Sequence, residues 1–440
     1  MALRRRLAAL TAAVALLLTG CAAPEREVGE AVSIPPTPAG EQFDWVLRTM
    51  NADVEPSEGD FAGRFTNDFL TQATPADLVG IFTSFQEQAP WTATSYEGGE
   101  TQALADVQSP NADPLQVQIA VDSSGVISGL LFTPPPPPRD PADSWEGIEE
   151  DVAALADGTS LVVTDLDSGE ARLALGPDEA KPMGSVFKLW VLAAVVDAVE
   201  AGELAWDDAV TVTDDLKSLP SGRLQDEDEG YETSVRDAAG LMISISDNTA
   251  TDLLIDAVGR ERVEAVLDEL GVDGNRPFPT TREFFQLGWD SSAEQRTAYA
   301  DGSREQRLEQ LEALGGGELD IPAAAVTEPR WQEGIDWFGT PGDLRAVQEA
   351  LQARADTDAG EPVRDILGEN SGLDFGDEWT SVAFKGGSAP GVLAGSWYLE
   401  GDAGRFTISL QAASDDPALV QEVGAYFGTV EDAARLLAEE

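Results

Sequence analysis

The chain has 440 residues, 81 of them acidic and 27 basic, for a formal net charge of −54 with 42% hydrophobic residues. Length and apolar content suffice for two or more packed domains, whereas the charge argues against nucleic acid and anionic lipid surfaces as partners and reads as a hydrated acidic exterior. Histidine is absent, which removes Ser-His-Asp triads, Cys-His pairs and the common zinc sites, so no metal or cofactor is expected.

At the N-terminus, Arg4, Arg5 and Arg6 precede an apolar run over 7–18 that is too short for a permanent membrane span. The run ends in Leu18-Thr19-Gly20-Cys21, which looks like a bacterial lipoprotein signal rather than an ordinary cleaved one. Residues 1–20 are then a signal peptide, Cys21 is the lipidated residue, and the polar stretch 21–42 is a tether. This places the protein on the extracytoplasmic face of the cell membrane. Cys21 is the single cysteine, so no internal disulfide and no catalytic cysteine are available.

Residues 43–133 read as a small α+β domain. Helical spacing of apolar residues covers 43–50, 59–69 and 75–88; period-two alternation follows over 91–96, 101–107, 115–121 and 126–132. The order resembles the cone-shaped folds of the nuclear-transport-factor and ketosteroid-isomerase type. Five consecutive prolines, Pro134 to Pro138, begin a semi-rigid linker over 134–143.

Beyond it, the chain predicts a helix at 145–156, strands at 160–165 and 171–175, and a long helix from Ser185 to about Gly202. Further helices flank Ser246 at 235–243 and 249–258. Strands at 381–387, 392–399 and 406–412 precede a largely helical end at 417–438. Strands from both ends around a helical middle predict one sheet beside a helical subdomain, with a cleft between them as the ligand site.

Chemistry concentrates in three short motifs. In Ser185-Val186-Phe187-Lys188, the serine starts a helix and the lysine lies one turn on, on the same face. Only four lysines exist, Lys181, Lys188, Lys217 and Lys385, and Lys188 alone follows a serine by three. A buried lysine of lowered pKa can take a serine proton, while helix-end N–H groups steady the oxyanion. A capping serine beside a surface lysine is the bland alternative. Ser246-Asp247-Asn248 interrupts two apolar helices; it reads as a proton relay and amide clamp, or as a plain helix cap. Lys385-Gly386-Gly387-Ser388 puts a cation and open backbone on a strand edge, or marks a strand turning through glycine.

In this order the three resemble the serine-x-x-lysine, serine-aspartate-asparagine and lysine-threonine-glycine motifs of class A β-lactamases and penicillin-binding enzymes. Thr340-Pro341 before an apolar helix is similar too, and the resemblance spans about 144–438. The N-terminal features, with Leu219-Pro220-Ser221-Gly222 and Pro279-Thr280-Thr281-Arg282-Glu283, look like the actinobacterial Cpe/LpqF-like lipoproteins. The resemblance implies Ser185 as acylated nucleophile, Lys188 as general base, Ser246 as proton relay and Lys385 as electrostatic aid. It implies that Asn248 orients Lys188 and substrate, that Ser185 and Ser388 N–H groups form the oxyanion hole, and that Gly387 keeps the strand open.

The pattern departs at three places. Gly386 replaces the usual threonine, no arginine stands in 393–399, and Glu283 is an imperfect counterpart of the glutamate that activates the deacylating water. Residues 290–328 look like an insertion. The expectation is an exported serine hydrolase of β-lactam-like, ester or amide substrates. The alternatives are a catalytically weak penicillin-recognising sensor, or an envelope protein acting through residues 43–133.

Overall fold

The computed structural model describes residues 28–440 except 67–68, 71–72, 100, 123, 136–138, 177, 220, 318, 320, 323–324 and 374. The expected signal peptide, Cys21, part of the tether, and Pro136 to Pro138 of the linker therefore lie outside the described residues. Among those described, no helix is long and apolar enough to cross a membrane. The chain divides into two compact units at Pro136/Pro137.

In the first unit, α1 (Pro38–Met50) starts inside the stretch expected as tether, because Thr37 accepts the Gly40 N–H and Pro38 supplies a preset first turn. The helix expected over 59–69 is shorter: α2 is Glu58–Phe61. Gly63 at φ +75° turns the chain, and backbone bonds from Thr66 and to Arg64 tie it to Ile127. A Thr74–Asp77 capping box opens α3 (Pro75–Gln86). Two short strands, β1 (Thr92–Ala93) and β2 (Glu97–Gly98), stand where one was expected over 91–96. They pair with opposite ends of β3 (Gln102–Gln108). The antiparallel sheet continues through β4 (Leu115–Val121) and β5 (Ile127–Thr133). Alternation buries Ala105, Val107, Val117 and Ile119 in one core with Phe43, Val46 and Met50 of α1 and Phe61 and Phe82.

The second unit opens with α4 (Trp145–Ala154), β6 (Ser160–Asp165), β7 (Ala171–Leu175) and β8 (Lys181–Pro182). A 3₁₀ turn, Gly184–Phe187, leads into α5 (Lys188–Glu200). After β9 (Ala209–Thr211) and β10 (Glu232–Ser234) come α6 (Val235–Ser244), α7 (Asn248–Val258) and α8 (Arg260–Leu270). The segment α9 (Thr281–Phe285) runs into a π-turn at Gln286–Asp290. The expected insertion is helical in part, with α10 (Ala293–Asp301) and α11 (Arg304–Glu312).

After β11 (Phe338–Gly339), α12 (Pro341–Ala355) and α13 (Val363–Gly368) lead to β12 (Trp379–Ala389), β13 (Val392–Gly401) and β14 (Gly404–Ala413). The end is a 3₁₀ turn at Pro417–Glu422 and α14 (Val423–Glu439), rather than one helix. The main sheet has the order β12-β13-β14-β6-β7, all antiparallel. Its one face packs on α4 and α14 around Trp397, Ile408 and Tyr426. The larger core surrounds α5, which is apolar nearly all round and accordingly central.

Candidate active site

Ser185 sits in the 3₁₀ turn, and the Lys188 N–H returns to the Ser185 carbonyl. At three residues per turn the two side chains are stacked on one side. Gly184 has φ +49°, and space there is as restrictive as conformation: a Cβ would lie 2.7 Å from the Ser388 nitrogen. On the facing strand, a Cβ on Gly387 would collide with the Met183 carbonyl and lie 2.8 Å from the Ser185 nitrogen. Only two glycines let β12 and the serine turn approach this closely. The backbones carrying Ser185 and Ser388 are thereby neighbours.

Lys188 is fully buried. Its Nζ lies 2.7 Å from Asn248 Oδ1, 2.6 Å from the Ser246 carbonyl and 3.1 Å from Ser246 Oγ. Lys385, also buried, places its Nζ 3.0 Å from the same hydroxyl and 2.7 Å from the Gly386 carbonyl. Burial holds Lys188 well below its ordinary value; the neighbouring Lys385 charge lowers it further, and Asp247 and Asp252 partly oppose this. Burial lowers Lys385 to about 7. A hydroxyl between two amines suits one neutral and one charged partner: it donates to the first and accepts from the second. The half-buried Ser185 hydroxyl makes no hydrogen bond among the described residues, and catalytic hydrogen bonds commonly tighten only with substrate bound.

The sequence Ser246-Asp247-Asn248 is held by its surroundings. Ser246 has φ +59°, an uncommon conformation for serine. Asp247 is the helix cap foreseen as the bland reading: it accepts the Ala250 N–H. It also receives the Arg223 and Leu224 N–H groups. Ser221 donates to the Ser246 carbonyl, the Asn248 N–H bonds the Ser221 carbonyl, and the Asn248 amide donates to Leu219. Leu219 and residues 221–224 thus brace the Ser246-Asp247-Asn248 turn.

Glu283 is placed otherwise. Its carboxylate receives Arg260 at 2.6 Å and the Thr280 N–H at 2.8 Å, closing a capping box. No hydrogen bond or ion pair joins it to Lys188, Ser246 or Lys385 among the described residues. Behind Asn248 stands instead Thr281, whose hydroxyl is 2.8 Å from Ser218 Oγ and 3.2 Å from the Asn248 carbonyl. Asp252, not singled out from sequence, binds the Thr281 and Arg282 N–H groups, and burial raises it to about 7. Asp336 was missed as well: it receives backbone N–H groups just before Ser185, and burial raises it to about 7. In both cases an acid among apolar neighbours (Leu253-Leu254, Ile335 and Trp337) was the available signal.

Residues 145–302 match the family described as "Beta-lactamase enzyme family", and residues 34–127 match "ORF 12 gene product N-terminal". No curated protein matches in sequence. Among solved structures, a β-lactamase from Sphaerobacter thermophilus is similar at 22% identity. It covers 68% of this chain and 99% of its own, with TM-score 0.48. The class A β-lactamase from Mycobacterium abscessus is similar at 16% identity, covering 66% and 98%, also with TM-score 0.48. PBP-A is similar at 18% identity, covering 69% and 99%, with TM-score 0.48. The C-terminal unit has a β-lactamase-like fold, an antiparallel sheet with its helices, preceded by the separate segment at 34–127.

Proposed function

We propose that the chain is an exported, lipid-anchored serine hydrolase that forms an acyl-enzyme on Ser185. The observation that carries the reading is the meeting of Lys188, Ser246, Asn248 and Lys385 from three distant stretches. Neutral Lys188 takes the Ser185 proton as Oγ attacks the acyl carbon. The oxyanion is held by the Ser185 and Ser388 N–H groups. Ser246 hands a proton to the departing amine or alcohol and is recharged from the Lys188 ammonium, with Lys385 adding positive potential. This leaves acyl-Ser185, which water or another nucleophile then cleaves. The substrate is β-lactam-like, an ester or an amide. Anchoring at Cys21, kinship with the Cpe/LpqF-like lipoproteins and a ketosteroid-isomerase-type N-terminal fold belong to the same reading.

Glu283 favours a second reading, a penicillin-recognising sensor that acylates with little turnover, because both its hydrogen-bonding partners are structural. Fluorescent penicillin and a fluorophosphonate should label Ser185, and Ser185→Ala should label with neither. Absence of label from both probes overturns the proposal. Product released per labelled serine separates a hydrolase from a sensor.

A further inference from the structure

We infer that Asp336 is a positioning residue for acylation, holding from behind the backbone turn that presents Ser185. This rests on the acyl-serine reading above. The Asp336 Oδ1 receives the Gly184 N–H at 2.9 Å, the Met183 N–H at 3.2 Å and its own neighbour's, Trp337, at 2.7 Å. The same Met183 N–H also reaches the Trp337 carbonyl at 2.9 Å. No ion pair accompanies this carboxylate among the described residues, so one oxygen is fixed by backbone donors alone.

The platform beneath it is stiff. β11 pairs with β8 through Phe338↔Pro182 and Gly339↔Lys181, and the Gln411 amide lies 3.0 Å from the Gly339 carbonyl. Trp337 stacks on Phe187, two residues after the nucleophile, at 3.7 Å between ring centroids. Asn275 receives and returns the backbone bonds of Phe338.

The Met183–Ser185 backbone thus lies between Asp336 and the β12 glycine. Gly387 sets how close the Ser185 and Ser388 nitrogens can come; Asp336 sets which way the turn faces. Without the acceptor, the buried Gly184 N–H loses its partner and the Met183 N–H keeps only the Trp337 carbonyl, so the turn before Ser185 is held less firmly in its orientation. A displacement of about 1 Å at an oxyanion donor is enough to cost about 100-fold in rate. Asp336 touches no reacting atom, so its effect falls on the acylation rate constant and not on the affinity of the preceding complex.

The test measures both constants with the full chain and fluorescent penicillin, resolving the non-covalent dissociation constant from the acylation rate constant. Asp336→Asn keeps an acceptor oxygen at Oδ1 and should acylate within about 5-fold of the parent, since the three hydrogen bonds to that oxygen are altered in character but not removed. Asp336→Ala should lower the acylation rate constant about 30- to 100-fold with the dissociation constant unchanged. Folding is checked by circular dichroism; if the alanine variant does not fold, Asp336→Ser, with a shorter acceptor, takes its place and should fall between the other two. The inference is overturned by a folded alanine or serine variant that acylates at the parental rate. It is equally overturned by a loss that appears in the dissociation constant, or by an asparagine variant as slow as alanine. A parent chain that takes no label fails the serine reading itself, a different result.

Discussion

Around Ser246, side-chain polar groups face one another: two buried amines share one hydroxyl, and an amide braces the first of them. Around Thr281, beside Asn248, the acceptors are taken up by backbone N–H groups and one arginine instead. Asp252 holds the Thr281 and Arg282 N–H groups, and Glu283 holds Thr280 and Arg260. Both regions carry buried ionisable groups, but only the first sets two buried amines on one hydroxyl, where proton movement between them is possible; the Glu283–Arg260 contact of the second is a plain ion pair. Burial alone therefore does not mark a reactive group; what the group's partners are decides it. The first region is equipped to pass a proton between its groups. The second is equipped to hold its own loop.

The largest effect is expected at the base. Lys188→Met should lower the acylation rate by about 100- to 10,000-fold, the range of general-base catalysis; a time course of fluorescent-probe labelling reads it, and a drop under tenfold breaks the contrast. Gly387→Ala comes next, because its methyl would collide with the Met183 carbonyl. Labelling should fall by about 100- to 1,000-fold, the scale of losing one oxyanion donor, while the sheet stays folded by circular dichroism.

The pH dependence should follow the amines. Lys188 acts when neutral, so acylation should rise with pH and level off above its lowered pKa. Lys385 titrates near 7 in the fold against an ordinary 10.5, so the unfolded chain binds more protons across that window. Its contribution to stability therefore increases from about pH 7 to 10.5. Thermal unfolding of Lys385→Met should lose that part of the slope, and an unchanged slope would place the titration elsewhere.

The smallest effect sharpens the comparison from the other side. Glu283→Ala should lower stability by about 1–2 kcal/mol through loss of the cap and the Arg260 bond. Hydrolysis of the acyl-serine should stay within about threefold, the scale of a mutation away from the chemistry. A variant that acylates normally and then stalls would restore Glu283 as the water-activating group.

The three motifs were legible because chemistry restricts them to few residue types. With no histidine and four lysines, Lys188 and Lys385 had almost no competitors. Their meeting in one site was implied by the resemblance alone; the contacts of both amines with the Ser246 hydroxyl depend on how β12 and the α6–α7 turn meet, which residue spacing does not show. Helix 59–69 was misread because apolar spacing persists past Gly63, where the backbone turns into the sheet. Likewise, Trp91 to Tyr96 alternates like one strand, yet two strands separated by 94–96 satisfy two ends of β3. Asp252 and Asp336 escaped notice because their partners are backbone N–H groups, and periodicity carries no trace of those.

The sheet order β12-β13-β14-β6-β7 joins Ser160–Asp165 to strands beginning beyond residue 378, and α4 rests on α14 where Arg139 meets Asp432. During synthesis β6 can pair with β7 at once but must wait for nearly the whole remaining chain before β14, its other neighbour, exists. Such distant pairing slows folding and leaves the apolar residues of β6 uncovered in the interval. The main sheet is therefore closed only when the last third of the second unit has been made.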